Sequence, residues 1–212
     1  METSASRRPA KRNPGVEVHE VHLARTTADP DDHPSPPLPE IAFVGRSNVG
    51  KSSLLNALCR NRRLARISRT PGKTQTINYF DVGGSCYFVD LPGYGYAAVP
   101  EGVRRAWGPM IEGYLERSPR LAGVVSLIDG RHDPTALDQR MVAWLAERGI
   151  PTLVVLTKAD RVPRGRRRAR LEDTARTLGL DPEQVVWFSS RSGEGRDAVF
   201  SAVDALLRQE VP

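Results

Sequence analysis

The sequence predicts an α/β protein with a mostly parallel sheet and helices on both faces of that sheet. Near-continuous apolar runs of strand length recur along the chain, helical patterns separate them, and a glycine-rich turn follows the first run. Such runs are typical of strands buried on both faces, and their alternation with helices is typical of a parallel sheet. The 212 residues, 39% of them apolar, suffice for one folded domain with a flanking segment.

The first 39 residues differ from the rest because they are rich in proline and polar side chains. Proline fixes φ and removes a backbone donor, so 29–39 is unsuited to a helix or a central strand. We therefore predict that 1–39 is a largely flexible N-terminal tail and that 40–212 is the folded domain. The partly alternating pattern over 16–23 fits either an edge strand or a continuation of the tail.

The first half of the folded domain predicts a strand, a glycine-rich turn, a helix and a β-hairpin, over 41–44, 45–50, 52–59 and 76–89. The helix is indicated by Leu54, Leu55 and Leu58, which fall on one face at helical spacing. The hairpin is indicated by two strand-like runs that meet at Gly83-Gly84.

The second half predicts helices that alternate with buried strands. The predicted helices cover 103–115, 134–147, a basic stretch ending near 179, and 195–208, and the strands cover 121–128, 151–156 and 185–188. Gly108-Pro109 predicts a kink in the first of these helices. Asp133 is the predicted N-cap of the second, with Pro134 in its first position and Gly149 as its stop.

Composition excludes several classes of protein. Two cysteines, Cys59 and Cys86, cannot form a disulfide scaffold or a thiolate metal site. No apolar run approaches the about 20 residues that cross a bilayer, and no apolar stretch follows the basic N-terminus, so we expect a cytoplasmic protein without a membrane span. The net charge of +6, from 31 basic and 25 acidic residues, favours an anionic partner.

A phosphate-binding loop follows the first predicted strand and precedes the first helix. It has the pattern G-x-x-x-x-G-K-[ST] in Gly45, Arg46, Ser47, Asn48, Val49, Gly50, Lys51 and Ser52. Backbone N–H groups of such a loop and a helix N-terminus bind phosphates, and the two glycines allow close approach. We expect Lys51 to reach the β- and γ-phosphates and Ser52 to bind Mg²⁺. The pattern predicts a P-loop NTPase.

Two later segments predict that the nucleotide base is guanine. The first is Thr157, Lys158, Ala159 and Asp160, which match the [NT]-K-x-D pattern of GTPases after a buried strand. The Asp160 carboxylate can accept from N1–H and the 2-amino group of guanine, whereas adenine has no such pair of donors. The second segment is Phe188, Ser189 and Ser190, whose backbone amides fall where the guanine oxygen is contacted.

Two further segments predict a switch that senses the γ-phosphate. The first follows the hairpin and consists of Asp90, Leu91, Pro92 and Gly93. Asp90 can reach Mg²⁺ through a water, and the Gly93 amide can sense the γ-phosphate. Before the hairpin, Thr70, Thr74 and Thr76 are each able to bind Mg²⁺ in the GTP state and release it afterwards, and spacing does not select among them.

Taken together, the segments GRSNVGKSSLLNAL, TPGKTQTINYF, DLPGYGYA, TKAD and FSS resemble those of the EngB (YihA/YsxC) family of bacterial GTPases, in the TrmE–Era–EngA-like class. The resemblance covers about Glu40 to Leu207. It implies a three-layer Ras-like G domain that binds GTP and GDP and acts in assembly of the large ribosomal subunit, with a role in cell division and septation. It also implies nucleotide contacts from Gly72, Lys73, Thr74, Gln75 and Thr76, with Thr74 as the switch threonine on Mg²⁺.

The residues for hydrolysis are less complete than those for binding. Ras-like enzymes orient the attacking water with a glutamine just after D-x-x-G, and here that residue is Tyr94. We therefore expect slow intrinsic turnover by a catalytic set of Lys51, Thr74, Gly93 and Asn48. Our hypothesis for Asn48 is that it helps to bind K⁺, which would supply charge where an arginine finger acts; the alternative is that it caps the loop.

The positive charge lies in two runs, 60–73 and 161–170, each with six basic residues and no acidic one. The first leads into the predicted switch and the second follows the base-reading motif. Phosphate contacts to ribosomal RNA would use such runs, although a solvated helix face is the alternative for the second. The competing function is a guanine-nucleotide sensor that docks a protein partner, with hydrolysis incidental. A third function, that of a tRNA-modifying GTPase, is disfavoured because such an enzyme would need further domains. We expect the protein to be a monomer.

Overall fold

Seven strands form one sheet in the computed structural model, which describes residues 20–61, 64, 76–95 and 108–208. The strands are β1 (Val21–Thr27), β2 (Glu40–Gly45), β3 (Ile77–Val82), β4 (Cys86–Asp90), β5 (Leu121–Asp129), β6 (Thr152–Thr157) and β7 (Val185–Trp187). The helices in these ranges are α1 (Lys51–Leu58), α2 (Pro109–Arg117), α3 (Ala136–Glu147), α4 (Arg164–Leu178) and α5 (Arg196–Arg208). None of them is long and apolar enough to span a membrane.

The strand order is β1-β3-β4-β2-β5-β6-β7. The five strands from β4 to β7 run parallel, whereas β3 and β1 form an antiparallel edge. Because the parallel strands all end on the same side, the loops that follow them meet at one edge of the sheet. That edge carries the predicted nucleotide segments.

Helices cover both faces of the sheet, which confirms the predicted fold class. Along β2, Ile41 and Phe43 pack with apolar residues of α1 and α5, whereas Ala42 and Val44 pack with those of α2 and α3. A third cluster joins α3 and α4 to β5, β6 and β7. Successive strand residues point to opposite faces, so burial on both faces explains the near-continuous apolar runs.

The start of α3 differs from the prediction. Its N-cap is Thr135, which forms a capping box with Asp138: Asp138 N donates to Thr135 Oγ1 at 3.4 Å, and Thr135 N donates to Asp138 Oδ2 at 2.9 Å. The predicted cap, Asp133, instead pairs with Arg170 of α4. The prediction of Asp133 is therefore wrong, because a reciprocal cap satisfies two backbone donors that a single aspartate would not.

The N-terminal segment contributes an edge strand whose bounds differ from the predicted 16–23. Strand β1 pairs with β3 over Val21↔Val82 to Thr27↔Ile77, and residues 1–19 lie outside the described ranges. The chain then passes two tyrosines of β3 and β4 before it enters β2: Tyr79 OH lies 3.3 Å from His33 Nδ1, and Tyr87 OH donates to Pro36 O at 3.0 Å. The boundary between tail and folded domain at residue 39 thus remains a prediction, while 21–27 is part of the sheet.

A buried carboxylate anchors this segment at the edge opposite the predicted nucleotide loops. Glu40 is fully buried and accepts from Tyr114 OH at 2.8 Å, Ser118 Oγ at 2.7 Å and Arg120 Nε at 3.2 Å. His33 Nδ1 lies 3.1 Å from Glu40 Oε1. The cluster joins the N-terminal segment, β2 and the C-terminal end of α2, and it satisfies a charge that would otherwise be costly to bury.

Glu40→Ala is expected to lower the free energy of unfolding by about 3 kcal/mol, because it leaves the buried Tyr114 hydroxyl and the partly buried Ser118 and Arg120 donors without this acceptor. Urea denaturation of both proteins measures the difference. The matched control is Asp31→Ala, which removes a carboxylate that pairs with Arg117 of the same helix at 2.8 Å but is exposed. The control should leave stability nearly unchanged, and equal losses in the two variants would contradict the importance of the buried cluster.

Candidate nucleotide-binding site

The turn between β2 and α1 has the backbone geometry of an anion-binding loop. Gly50 has φ of 113° and Asn48 has φ of 64°, so both lie in the left-handed region that glycine and asparagine tolerate best. A Cβ on Gly45 would lie 2.9 Å from Val49 Cγ1 and 3.1 Å from Leu127 O. The loop therefore closes tightly over the sheet edge, and its amides precede the N-terminus of α1, where an anion is favoured.

Lys51 and Asp90 bring the loop together with the end of β4. Lys51 Nζ donates to Asp90 Oδ1, and both side chains are largely buried. The contact follows from the sheet, because Asp90 is the register partner of Phe43 in the neighbouring parallel strand. Ser52 follows Lys51 in the first turn of α1. A cation, a hydroxyl and a carboxylate thus lie at one edge of the sheet.

The segment after β4 lies directly against the phosphate loop. Leu91 is fully buried, and Pro92 and Gly93 continue from it. A Cβ on Gly93 would lie 3.1 Å from Ser47 Oγ. Tyr94 N donates to Gly45 O at 3.2 Å, and Ser47 N donates to Tyr94 O at 3.0 Å. Two backbone hydrogen bonds therefore dock this segment onto the loop.

The side chain of Tyr94 faces α3. It is 3% exposed, and its hydroxyl lies 3.5 Å from Asp138 Oδ1. Burial raises the pKa of Tyr94, and the nearby Asp138 carboxylate adds to this effect. A neutral phenol held against α3 is poorly placed to replace the water-orienting glutamine of Ras-like enzymes.

The end of β6 and the loop that follows it are tied to the phosphate loop by Thr157 and Lys158. Thr157 Oγ1 donates to Val49 O at 2.7 Å. Lys158 has φ of 62°, and its Nζ donates to Asn48 O at 3.2 Å. The two predicted nucleotide segments, more than a hundred residues apart in the chain, therefore form one surface.

The remaining residues of this loop meet the segment after β7. Ala159 is buried, and its N donates to Phe188 O at 3.1 Å. Ser189 Oγ donates to Asp160 Oδ1 at 2.7 Å, and this hydrogen bond holds the pKa of Asp160 below its ordinary value. Ser190 is exposed beside them. The arrangement presents an ionised carboxylate at the surface with one oxygen already fixed.

Asp129 is a residue of this site that the sequence reasoning did not select. It ends β5, opposite Thr157 in β6, and accepts from Lys158 Nζ at 2.7 Å and from Arg131 Nη2 at 2.7 Å. Partial burial opposes ionisation, but the hydrogen bonds from Arg131 and Lys158 outweigh it and hold the pKa of Asp129 well below its usual range. Its position at the carboxyl end of a parallel strand was the available signal.

A cavity of about 330 Å³ opens between the phosphate loop and the turn after β5. Its walls include Arg46, Asn48, Asp129, Arg131, His132 and Lys158. Arg46 Nε is buried there without a hydrogen-bond partner among the described residues. The open space therefore borders both loops, and most of the residues around it are polar or charged.

Several predicted residues lie outside the described ranges. They are Thr70, Gly72, Lys73, Thr74 and Gln75, together with most of the basic run 60–73, of which Arg60, Asn61 and Leu64 are described. Thr76 is half-buried just before β3. The roles predicted for the switch threonines stay predictions.

Comparison with known sequences places these features in a family. A family model described as "50S ribosome-binding GTPase" matches residues 40–158. A probable GTP-binding protein EngB from Gemmatimonas aurantiaca is 55% identical over 170 residues, which is 80% of this chain and 83% of the relative. The chain belongs to the EngB family. Another EngB-family protein, from Geobacter metallireducens, is 46% identical over 192 residues, covering 91% of this chain and 94% of the relative.

Solved structures share the fold of this EngB-family chain. A probable GTP-binding protein EngB has a TM-score of 0.69 at 22% identity, covering 81% of this chain and all of that one. Era in complex with MgGDPNP and nucleotides 1506–1542 of 16S ribosomal RNA has a TM-score of 0.61 at 21% identity, covering 82% of this chain and 58% of that one. The fold and the family together identify a P-loop GTPase, which binds and hydrolyses GTP.

Proposed function

We propose that this GTPase is a nucleotide-controlled switch in assembly of the large ribosomal subunit, through which it is linked to normal cell division and septation. The observation that carries the proposal is a surface of arginines that form no ion pair with any described residue and lie beside the loop that holds Asp160. It is supported by the family description, which names ribosome binding, and by the Era neighbour, which was solved with ribosomal RNA.

The nucleotide in this proposal lies across the carboxyl edge of the sheet. The loop 45–52 surrounds the phosphates. Lys51 leaves Asp90 and binds the β- and γ-phosphates, which replace the Asp90 carboxylate as its partner. The Gly93 amide senses the γ-phosphate, and the Asp160 carboxylate accepts from N1–H and the 2-amino group of guanine. Phe188 N and Ser189 N already donate to Leu156 O and Glu194 O, each at 2.9 Å, so the Ser190 amide is the one proposed to contact the guanine oxygen. Residues 72–76 contribute from the switch.

The donors at this edge fit Mg²⁺, because hydroxyl and carboxylate oxygens suit a hard cation. Ser52 and the switch residue Thr74 would hold the ion directly and Asp90 through a water. No cluster of three His, Cys, Asp or Glu side chains that could hold a metal occurs in the described part of the chain, so phosphate oxygens would complete the set. The ion would neutralise charge on the phosphates.

Hydrolysis in this proposal is slow, because Tyr94, the residue after D-x-x-G, is held against α3 and does not replace the water-orienting glutamine of Ras-like enzymes. Asn48 remains the candidate K⁺ ligand. Its side chain is exposed at the loop, while its backbone carbonyl is already used by Lys158. A cation at that position would place positive charge beside the phosphates.

The basic run 161–170 divides into paired and unpaired arginines. Three of its arginines form ion pairs with acidic side chains: Arg167 with Glu194, Arg168 with Glu172 and Arg170 with Asp133. Three others are exposed and form no ion pair with any described residue: Arg161, Arg164 and Arg166. Arg191 is exposed and, like Arg161, lies near Asp160. The arginines without an ion pair therefore extend to the loop that holds Asp160. We call Arg161, Arg164, Arg166 and Arg191 the open arginine surface.

RNA is the partner favoured by this surface. The guanidinium groups form no ion pair with a described residue, so they are available to bind phosphate oxygens. A contact here would lie next to the bound nucleotide. Basic run 60–73 is proposed as a second contact, at the approach to the switch.

Co-sedimentation with large ribosomal subunits tests the proposed function. The full chain is mixed with subunits and a GTP analogue, GDP or no nucleotide, across a salt series. We expect association that depends on the nucleotide and falls steeply with salt. The absence of any nucleotide dependence would contradict the proposal and favour the sensor that docks a protein partner.

Replacing Arg161, Arg164 and Arg166 together with alanine should weaken this association at least about tenfold and reduce the slope of log K against log salt by about 2 to 3. The matched control replaces Arg168, Arg170 and Arg176, which changes the net charge equally but removes paired arginines. The control should have the smaller effect, because its charges are already neutralised locally. Equal effects would show that total charge matters and that the open arginine surface does not.

A further inference from the structure

We propose that Asp129 is a positioning residue of the guanine site, which acts by holding Lys158 against the base. The inference rests on the proposed nucleotide assignment and adds to it a residue outside the phosphate loop and the [NT]-K-x-D motif. Asp129 acts through Lys158 rather than by touching the nucleotide.

Lys158 is fixed at both ends of its side chain. Its backbone adopts φ of 62°, in the left-handed region, and its Nζ donates to Asp129 Oδ2 at 2.7 Å and to Asn48 O at 3.2 Å. One anchor belongs to β5 and the other to the phosphate loop. The four-carbon stem between them is thereby held along one path, and a flexible lysine stem is otherwise costly to order.

The two anchors are unequal. The Asn48 carbonyl is neutral and more distant, whereas Asp129 is a charged acceptor at shorter range. Charge-assisted hydrogen bonds are the stronger kind, and the pair is partly shielded from solvent, with side-chain exposures of 27% for Lys158 and 20% for Asp129. Asp129 is therefore the main determinant of where Lys158 lies.

Arg131 fixes the carboxylate in turn. Arg131 Nε donates to Asp129 Oδ1 at 2.9 Å and its Nη2 to Oδ2 at 2.7 Å, and Arg131 N donates to Oδ1 at 3.2 Å. A planar two-point contact of this kind sets the rotation of the carboxylate. Asp129 Oδ2 also accepts from Lys158 Nζ, so this one oxygen links the turn after β5 to the loop that begins at Lys158.

The expected consequence is a change in nucleotide residence time. Without Asp129 the Lys158 side chain samples other rotamers. It must then be ordered each time nucleotide binds, so its contact with the base holds the nucleotide less tightly. We expect Asp129→Ala to raise the dissociation rate of GDP about tenfold. Asp129→Asn keeps the shape and one acceptor oxygen, so it should raise the rate less.

The test measures dissociation of a fluorescent GDP analogue from the full chain, in four proteins: the original, Asp129→Ala, Lys158→Ala and the double variant. Asp133→Ala is the matched control, because it removes a carboxylate from the same turn that pairs instead with Arg170. If Asp129→Ala does not fold, Asp129→Asn replaces it in this test. We expect faster dissociation in Asp129→Ala, no change in the control, and no added effect of Asp129→Ala once Lys158 is absent.

Three results would overturn the proposal. If the Asp129 variants fold and release GDP at the original rate while Lys158→Ala releases it faster, Asp129 has no positioning role, and the assignment of the guanine site is unaffected. Equal acceleration by Asp129→Ala with and without Lys158 would show that it does not act through Lys158. An unchanged rate in Lys158→Ala would contradict the base site itself, and this inference with it.

Discussion

Replacing Lys51 with alanine is expected to weaken GTP binding by about 1,000-fold, which corresponds to about 4 kcal/mol. The ammonium group is the cation that the loop motif assigns to the β- and γ-phosphates, and hydrogen bonds to charged groups contribute about 1.5 to 3 kcal/mol each. It lies at the start of α1 and is only 12% exposed, so solvent screens its charge weakly. Its present partner, Asp90, shows that the side chain already points across the proposed phosphate site.

Equilibrium titration with a fluorescent GTP analogue measures this loss. Arg176→Ala is the charge-matched control, since Arg176 is an exposed residue of α4 paired with Asp173. The control should bind GTP as the original chain does. A folded Lys51→Ala protein that binds GTP within about tenfold of the original would contradict the assignment of the phosphate loop.

Asp160→Asn is expected to exchange guanine for xanthine preference, with about a 1,000-fold loss for GTP and a comparable gain for the xanthine nucleotide. Ser189 Oγ accepts from the backbone amides of Arg191 and Ser192, each at 3.2 Å, so its own hydrogen must be donated to Asp160. In the variant the amide oxygen keeps that hydrogen bond, and the NH₂ group takes the position that faces the base. It can donate to the 2-oxo group of xanthine but cannot accept from guanine.

Competition binding with the two nucleotides measures the exchange. Asp173→Asn is the control, because it makes the same chemical change at an exposed position of α4. It should keep the original preference. An Asp160→Asn protein that still prefers GTP would show that another group reads the base.

The parts of the molecule that depend on local pattern could be predicted from the sequence. The alternation of apolar runs with helices reflects strands buried on both faces, as Ile41 and Ala42 show by packing on opposite sides of the sheet. The phosphate loop could be predicted from its glycines. A Cβ at Gly45 would contact neighbouring atoms too closely, and Gly50 has a positive φ.

The parts that depend on contacts between distant residues could not be predicted in this way. Asp129 becomes important only because β5 places it beside Thr157, and Glu40 only because α2 brings Tyr114 to it. The arginines of α4 look alike in sequence. The fold separates them, because acidic partners such as Asp133 and Glu194 come from other segments and reach only some of them.

The most direct test of a nucleotide-controlled switch uses Asp160→Asn in co-sedimentation with large ribosomal subunits. The variant changes which nucleotide is bound and leaves the open arginine surface in place. We expect its association to respond to a xanthosine triphosphate analogue and no longer to the GTP analogue, the reverse of the original chain. Association that follows neither nucleotide, or that still follows GTP after the base preference has changed, would contradict control of the ribosomal contact by this site.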